Sequence, residues 1–259
     1  LALLACVAGA VLYRLAVAGP VGKVFWLTAI VAFGYALALT HSRGGFLAML
    51  GAIGVFCTAR FGWRRTVPLA VVLVPMMFVL FAGRQTKIVT DEGTGQMRIQ
   101  AWSDGLQLLK QAPLFGKGMH KFVEEIYMEA HNSYVHSYAE LGFFGGTLFM
   151  GAFYLSFLGL RRAGREDLQK DEAELVRLRP YLLGVVTAYA IGYASLSRGY
   201  VTPTYLVLGT VVAYLSLVSV EPFPVKWNLL RQFVPRLAVA SAVFLAFLYV
   251  FIRLFVRWG

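Results

Sequence analysis

The sequence predicts an all-α fold: a polytopic transmembrane helix bundle with one long extramembrane loop that carries short helices. Hydrophobic residues make up 59% of the chain and charged residues only 14%, whereas about 25% of residues are charged in a typical soluble protein. Apolar runs long enough to cross about 30 Å of hydrocarbon as a helix recur along the chain. The mean hydropathy of +0.67 agrees with several such spans.

The predicted spans follow one another along the whole chain. They cover residues 1–17, 22–40, 44–60, 66–82, 141–160, 180–198, 203–219 and 236–256. The first and the last are less regular because they contain Arg14 and Arg253. Because the chain begins without methionine and inside an apolar run, we expect residues 1–259 to be a single transmembrane domain that is part of a longer protein.

The basic residues predict which ends of the spans face the cytoplasm, since short loops rich in Lys and Arg stay on that side. Such loops lie at Lys23, 60–65, 161–179 and 226–236. Alternation then assigns residues 40–45, 83–140 and 197–203 to the outer face. Segment 83–140 is the long extramembrane loop, and loops of that length are usually functional.

The formal net charge of +11 raises the question of nucleic-acid binding. The basic residues gather at the ends of spans, where they act as topology signals and contact anionic lipid headgroups. We therefore expect membrane lipids and no nucleic acid as partners. Cys6 and Cys57 fall inside predicted spans, so we expect neither a disulfide nor a zinc site.

Three polar side chains converge on the outer face: Arg43 at the start of a span, Arg98 in the long loop and His131 just before the span at 141–160. Arg198, at the outer end of another span, is a fourth candidate. An arginine inside hydrocarbon costs at least about 2.5 kcal/mol, so Arg43 can simply be reaching the headgroups. Arg98 can be a solvated residue on a helix, and His131 can be a structural histidine of a loop.

The neighbours of these residues predict the local structure. Ile99, Trp102, Leu106 and Leu109 recur at helical spacing, which predicts a helix that carries Arg98. His131 and His136 would lie about 140° apart on a helix, so they do not form a metal-binding pair, and we expect no metal or cofactor.

The residues that follow His131 predict a helix entering the membrane. His136 and Glu140 are spaced to hydrogen-bond along that helix. Gly142 and Gly146 form a small-xxx-small pair that favours packing against a neighbouring helix. "PLFGKG" at 113–118 lacks the full phosphate-loop pattern, so we interpret it as a turn.

Four motifs together carry a family resemblance. They are "THSRGGFLAML" at a span start, "MRIQAW" and "APLFGKGMHKF" in the long loop, and "AHNSYVHSYAELGFFGGTLF" leading into the next span. In this order and spacing, over roughly residues 35–160, the chain resembles the bacterial O-antigen ligase and O-antigen polymerase superfamily. That family consists of inner-membrane glycosyltransferases of the GT-C type.

The resemblance implies an activity, partners and a location. The implied reaction moves a glycan from an undecaprenyl-diphosphate carrier to an acceptor hydroxyl on a glycan, on lipid A-core or on another molecule. It implies a multi-pass protein of the bacterial inner membrane whose active site, in the periplasmic loop 83–140, needs neither a nucleotide sugar nor a metal. Arg43, Arg98 and His131 match the family's functional residues.

The chemistry of these side chains suits that reaction. Arginine offers a permanently charged, bidentate fork for a diphosphate leaving group, so Arg43 and Arg98 are candidates for a diphosphate clamp. A neutral imidazole at His131 can take the proton of the acceptor hydroxyl. Asn132 and Tyr134 are substrate-binding candidates together with Arg198. Asn132 is equally suited to capping the helix that follows, and Tyr134 to stacking on a sugar.

Several functions remain open at the level of sequence. A ligase and a polymerase share the donor chemistry, as does an oligosaccharyltransferase that acts on protein hydroxyls. A transporter or channel for an anionic substrate would also use arginines. The long outer loop and the lack of paired broken spans argue against the transporter, and a purely structural membrane subunit is the remaining alternative.

Overall fold

The computed structural model describes residues 13–14, 16–40, 42–80, 94–163, 173–197, 199–218 and 227–256. All regular secondary structure in those ranges is helical, which confirms the all-α fold. The helices are α1 (Pro20–Leu39), α2 (Arg43–Phe61), α3 (Trp63–Leu80), α4 (Thr94–Gln111), α5 (Lys121–Ile126), α6 (Ser133–Arg162), α7 (Ala173–Gly192), α8 (Thr202–Val218) and α9 (Trp227–Phe255).

Four of the helices in the described ranges are long and apolar enough to cross a membrane. They are α1, α2, α6 and the part Phe233–Phe255 of α9. Helices α3, α7 and α8 occupy the other predicted spans, although α7 ends at Gly192 and not at 198. The predicted span 1–17 lies mostly outside the described residues. The chain therefore has the helices of a polytopic membrane protein.

The chain divides into two compact units. The first consists of Leu1–Ile88, Ser156–Gly192 and Val201–Val220, and the second of Val89–Leu155, Tyr193–Tyr200 and Glu221–Gly259. In the first unit α2 packs along α7. A methyl group added to Gly184 would lie 3.4 Å from the Ala52 carbonyl oxygen. Such small residues allow two helices in a membrane to approach closely.

The second unit is built around an apolar core to which α4, α5, α6 and α9 all contribute. Its buried members are Leu108, Phe122, Ala130, Val135, Ala139, Leu248 and Ile252. Ile99, Trp102 and Leu106, the apolar face of α4, pack against this core. The Gln96 side chain also donates a hydrogen bond to the Phe255 carbonyl at 3.1 Å. Helix α4 is therefore held against α9, as its helical spacing of apolar residues requires.

Helix α6 is interrupted at Gly142, whose φ of 68° and ψ of −170° are not helical. This backbone conformation is essentially restricted to glycine. A Cβ on Gly142 would collide with the backbone of Leu114 and Gly116. Gly142 therefore packs against the turn 113–118, and not against a neighbouring helix as the small-xxx-small pattern predicted.

The turn 113–118 supplies hydrogen bonds that the interrupted helix lacks. Two N–H groups that follow the break donate to the turn, and two carbonyls that precede it accept from the turn: Phe143 N to Pro113 O at 2.8 Å, Phe144 N to Leu114 O at 3.1 Å, Lys117 N to Ala139 O at 3.1 Å and Gly118 N to Glu140 O at 2.9 Å. The turn predicted for "PLFGKG" is confirmed, and it also bridges the two parts of α6.

Candidate active site

The candidate site lies in the second unit, where the residues between α5 and α6 meet α4. The Trp102 indole N–H donates a hydrogen bond to the Ala130 carbonyl at 2.7 Å. Arg98 lies four residues before Trp102, so the two side chains are neighbours on the surface of α4. The bond thus fastens the residue that precedes His131 to the helix face that carries Arg98.

His131 has a left-handed backbone, with φ at 48°. Residues other than glycine adopt this conformation rarely, although histidine, asparagine and aspartate do so more often than most. The imidazole is half-buried. This left-handed residue forms a turn that leads directly into the first residues of α6.

The pKa of His131 is lowered below its ordinary value of 6.5. Burial is the main cause, and the positive charge of Arg98 adds to it, whereas the negative charge of Glu129 acts in the opposite direction. Because the shift favours the uncharged form, the imidazole is neutral at pH 7 and can accept a proton.

The start of α6 is fixed by its own cap and by a neighbouring loop. The Asn132 side-chain oxygen accepts hydrogen bonds from the backbone N–H groups of Tyr134 at 3.0 Å and Val135 at 3.2 Å. The Ser133 N–H donates to the Tyr193 carbonyl at 2.8 Å, and the Ser133 hydroxyl donates to the Leu196 carbonyl. Asn132 therefore caps α6, and contact of its amide group with substrate stays a prediction.

The buried carboxylate of Glu140, in α6, joins this helix to α5. The Glu140 side chain is fully buried. Its Oε1 atom lies 3.0 Å from Nε2 of His136 and accepts a hydrogen bond from the Phe122 N–H at 3.1 Å. The hydrogen bond predicted between His136 and Glu140 is confirmed. The Phe122 ring also lies against the His136 ring, with centroids 5.1 Å apart.

Of the residues predicted to form the site, Arg98 lies close enough to His131 for its positive charge to contribute to the lowered pKa of the histidine. Tyr134 has its ring near Phe149 and Phe244, with centroids 5.8 Å and 6.0 Å away, so stacking on a sugar stays a prediction. Arg198 lies outside the described residues.

Arg43 belongs to the first unit, where it is the first residue of α2. The Ser42 side chain accepts a hydrogen bond from the Gly45 N–H at 3.1 Å and caps this helix. The "SRGG" motif thus forms the amino-terminal end of a helix that can cross a membrane. Both the guanidinium and the helix dipole are positive at that end, which favours an anion there.

One interaction that builds the site, the hydrogen bond from Trp102 to Ala130, is not predicted by the sequence. Trp102 was assigned only to the apolar face of a helix, yet its N–H makes the bond to Ala130. A buried tryptophan usually needs a partner for that N–H, and this was the available signal. Among the residues that the structure describes, no group of three or more His, Cys, Asp or Glu side chains is arranged to hold a metal ion.

The arrangement in the second unit can carry out one kind of chemistry. A neutral imidazole can accept a proton, and a guanidinium beside it can bind an anion. His131 lies two residues before α6, which is long and apolar enough to cross a membrane, and Arg98 lies on α4. Proton transfer coupled to charge development on a membrane-associated substrate is the reaction class that fits them.

Part of the chain matches a known protein family. A model of the family described as O-antigen ligase matches residues 27–150. This range contains Arg43, Arg98 and His131, and it ends inside α6. The resemblance predicted from the sequence motifs is confirmed over that range. None of the curated proteins matches the chain.

Proposed function

We propose, from the match of residues 27–150 to the model of the O-antigen ligase family, that the protein is a membrane glycosyltransferase. It moves a glycan from an undecaprenyl-diphosphate carrier to an acceptor hydroxyl. The observation that supports the proposal most directly is the pairing of Arg98 with a neutral His131 just before α6. Such a pair offers an anion-binding group and a proton acceptor at one place.

The proposed step is a direct displacement at the anomeric carbon of the donor. The acceptor oxygen forms the new C–O bond while its proton moves to the His131 imidazole. The bond from the anomeric carbon to the diphosphate breaks, and its electron pair leaves with the diphosphate. Arg98 neutralises the charge that develops on this leaving group. A single displacement of this kind inverts the anomeric centre.

Arg43 is the second proposed diphosphate ligand. Its support comes from the "SRGG" motif and from its position at the capped amino-terminal end of α2, where a positive dipole end and a guanidinium both attract phosphate. The roles of Asn132, Tyr134 and Arg198 as substrate-binding residues rest on the sequence alone.

The proposed location follows from the family and from the basic loops. We expect the protein in the bacterial inner membrane, with the segment 83–140 on the periplasmic side. The donor carries its diphosphate at the membrane surface, and the acceptor is a growing glycan, a lipid A-core or another hydroxyl compound. A ligase and a polymerase differ only in that acceptor.

Transfer in lipid nanodiscs tests the proposal, with the gene product and undecaprenyl-diphosphate-linked glycan as donor. His131→Asn is the informative variant because asparagine tolerates the left-handed backbone but supplies no base. We expect wild-type transfer to survive EDTA and the variant to lose it. Full activity of a correctly inserted His131→Asn protein would refute the base. Donor movement across the bilayer without glycan transfer would instead favour an anion transporter.

A further inference from the structure

We propose that Trp102 is a positioning residue, whose indole N–H holds the His131 turn against the face of α4 that carries Arg98. The inference rests on the proposed function, because it concerns how the proposed base and the proposed diphosphate ligand are kept together. Trp102 itself touches neither substrate nor reacting atoms in this scheme. It acts through the Ala130 carbonyl.

The hydrogen bond from Trp102 fixes the orientation of the peptide group that joins Ala130 to His131. The Ala130 carbonyl and the His131 N–H belong to the same rigid peptide group, so a fixed carbonyl direction fixes the plane from which φ of His131 is measured. That φ is 48°, in the left-handed region. Without the hydrogen bond, the turn can relax towards the more common negative φ values.

The bond is also well protected. Ala130 is fully buried and belongs to the core of the second unit. The Trp102 ring packs against that core and lies 6.1 Å from the Phe251 ring, measured between centroids. Because a buried carbonyl without a partner is unfavourable, the turn and the indole are held together from both sides.

The register of α4 then determines what His131 faces. Arg98 lies one helical turn before Trp102, so a turn that is fastened to Trp102 lies next to Arg98. The charged groups that act on His131 are Arg98 from α4 and Glu129 from its own turn. If the turn moves away from α4, the imidazole loses the influence of Arg98 and some of its burial, and it protonates at higher pH.

The experiment compares two replacements of Trp102 with a packing control. Trp102→Phe removes the N–H and part of the ring, whereas Trp102→3-benzothienylalanine replaces the N–H by sulfur in a ring of nearly the same shape. Phe251→Leu disturbs the packing of the same ring and keeps the hydrogen bond. Two measurements are made on each protein: titration of His131 by hydrogen–deuterium exchange at its C2 position without substrate, and the pH dependence of glycan transfer.

We expect both Trp102 replacements to raise the pH midpoint of the His131 titration, to move the acidic limb of the transfer profile in the same direction and to lower the maximal rate about tenfold. Phe251→Leu should change neither the midpoint of the His131 titration nor the acidic limb of the transfer profile. An unchanged His131 titration in the isosteric replacement would overturn the positioning role, whatever happens to the rate. A titration that shifts while the transfer profile stays fixed would support the positioning role and overturn His131 as the base.

Discussion

At the scale of single residues, His131 combines a left-handed backbone with a lowered imidazole pKa. The first property fixes where the side chain points, and the second keeps it neutral at pH values where a solvated histidine would be partly charged. The pKa is lowered mainly by burial and further by the positive charge of Arg98, and in our proposal the backbone conformation depends on Trp102 through Ala130. The chemistry of the turn therefore belongs to a small group of residues and not to the histidine alone.

The lowered pKa of His131 gives a pH prediction. Because only the neutral imidazole accepts a proton, transfer should be maintained as pH falls to 6.5, the ordinary histidine value, and should decline only below the lower pKa in the folded protein, by about tenfold per pH unit. The measurement is the rate of transfer with saturating donor between pH 5 and 8. A decline that begins above pH 7 would contradict a neutral, lowered base.

Replacement of the two arginines by lysine tests the diphosphate clamp. Lysine keeps the charge but lacks the bidentate fork, so Arg43→Lys and Arg98→Lys should each lower kcat/KM by at least about tenfold. Arg60, in the last turn of the helix that Arg43 begins, provides the matched control, and Arg60→Lys should retain wild-type transfer. Wild-type turnover and donor binding in Arg43→Lys would remove Arg43 from the proposed site.

The candidate residues of this site were predictable one at a time, and their roles stay predictions. Arg98 and His131 are candidates from the sequence because they lie in the long outer loop and match motifs of the family that the chain resembles. The bond from Trp102 to Ala130 was not predictable in this way, since Trp102 also satisfies the helical pattern of apolar residues. Its partner is a backbone carbonyl, and because every residue has one, the residue type does not predict this hydrogen bond.

At the scale of elements, the interruption of α6 at Gly142 depends on the turn 113–118. Gly142→Ala should lower the stability of the protein, because strain at this φ and ψ costs about 1–3 kcal/mol and the new Cβ also collides with the turn. Gly209 in α8 has open space at the position of a Cβ, so Gly209→Ala is the control. The midpoint of thermal unfolding in detergent should fall for the first variant only. Equal midpoints would show that the interruption carries no strain.

The buried Glu140 gives a second prediction at this scale. Glu140→Gln keeps an oxygen for the Phe122 N–H, whereas Glu140→Ala leaves that buried group without its partner at a cost of about 1–3 kcal/mol. Unfolding in denaturant should therefore rank the proteins as wild type, Glu140→Gln and Glu140→Ala in decreasing stability. The idea that Glu140 joins α5 to α6 fails if the two variants are equally stable.

The sequence predicted the apolar part of α6 but not its interruption. Helical periodicity continues through Gly142, and a glycine pair in a membrane span usually indicates close helix packing. What breaks the helix is a segment far away in the sequence that bonds to both sides of the break. Only the three-dimensional contact distinguishes these two roles of glycine.

At the scale of the whole molecule, the orientation in the membrane is a prediction that cysteine labelling can test. Tyr127, in the segment 83–140, is 90% exposed, and Trp63, in the basic segment 60–65, is 68% exposed. In intact spheroplasts, a membrane-impermeant maleimide should label Tyr127→Cys but should label Trp63→Cys only after permeabilisation. The native Cys57 is buried, and the unsubstituted protein gives the background. The reverse pattern would invert the proposed topology.

The sequence predicted the architecture of the whole molecule better than its details. Composition and apolar runs were enough for an all-α membrane protein, because hydrocarbon leaves the backbone few alternatives to helices. The division into two compact units was not predicted, since it brings together segments far apart in the chain. Local patterns do not contain that information.

The turn that bonds to α6 on both sides of Gly142 also bears on how the chain is made. Synthesis runs from the amino terminus, so residues 113–118 leave the ribosome before Gly142 does. A buried peptide group without a partner costs about 1–3 kcal/mol, and the interruption at Gly142 leaves such groups until the turn bonds to them. The chain therefore produces the partners of the interruption before the interruption itself, so these peptide groups can pair as soon as α6 has been made.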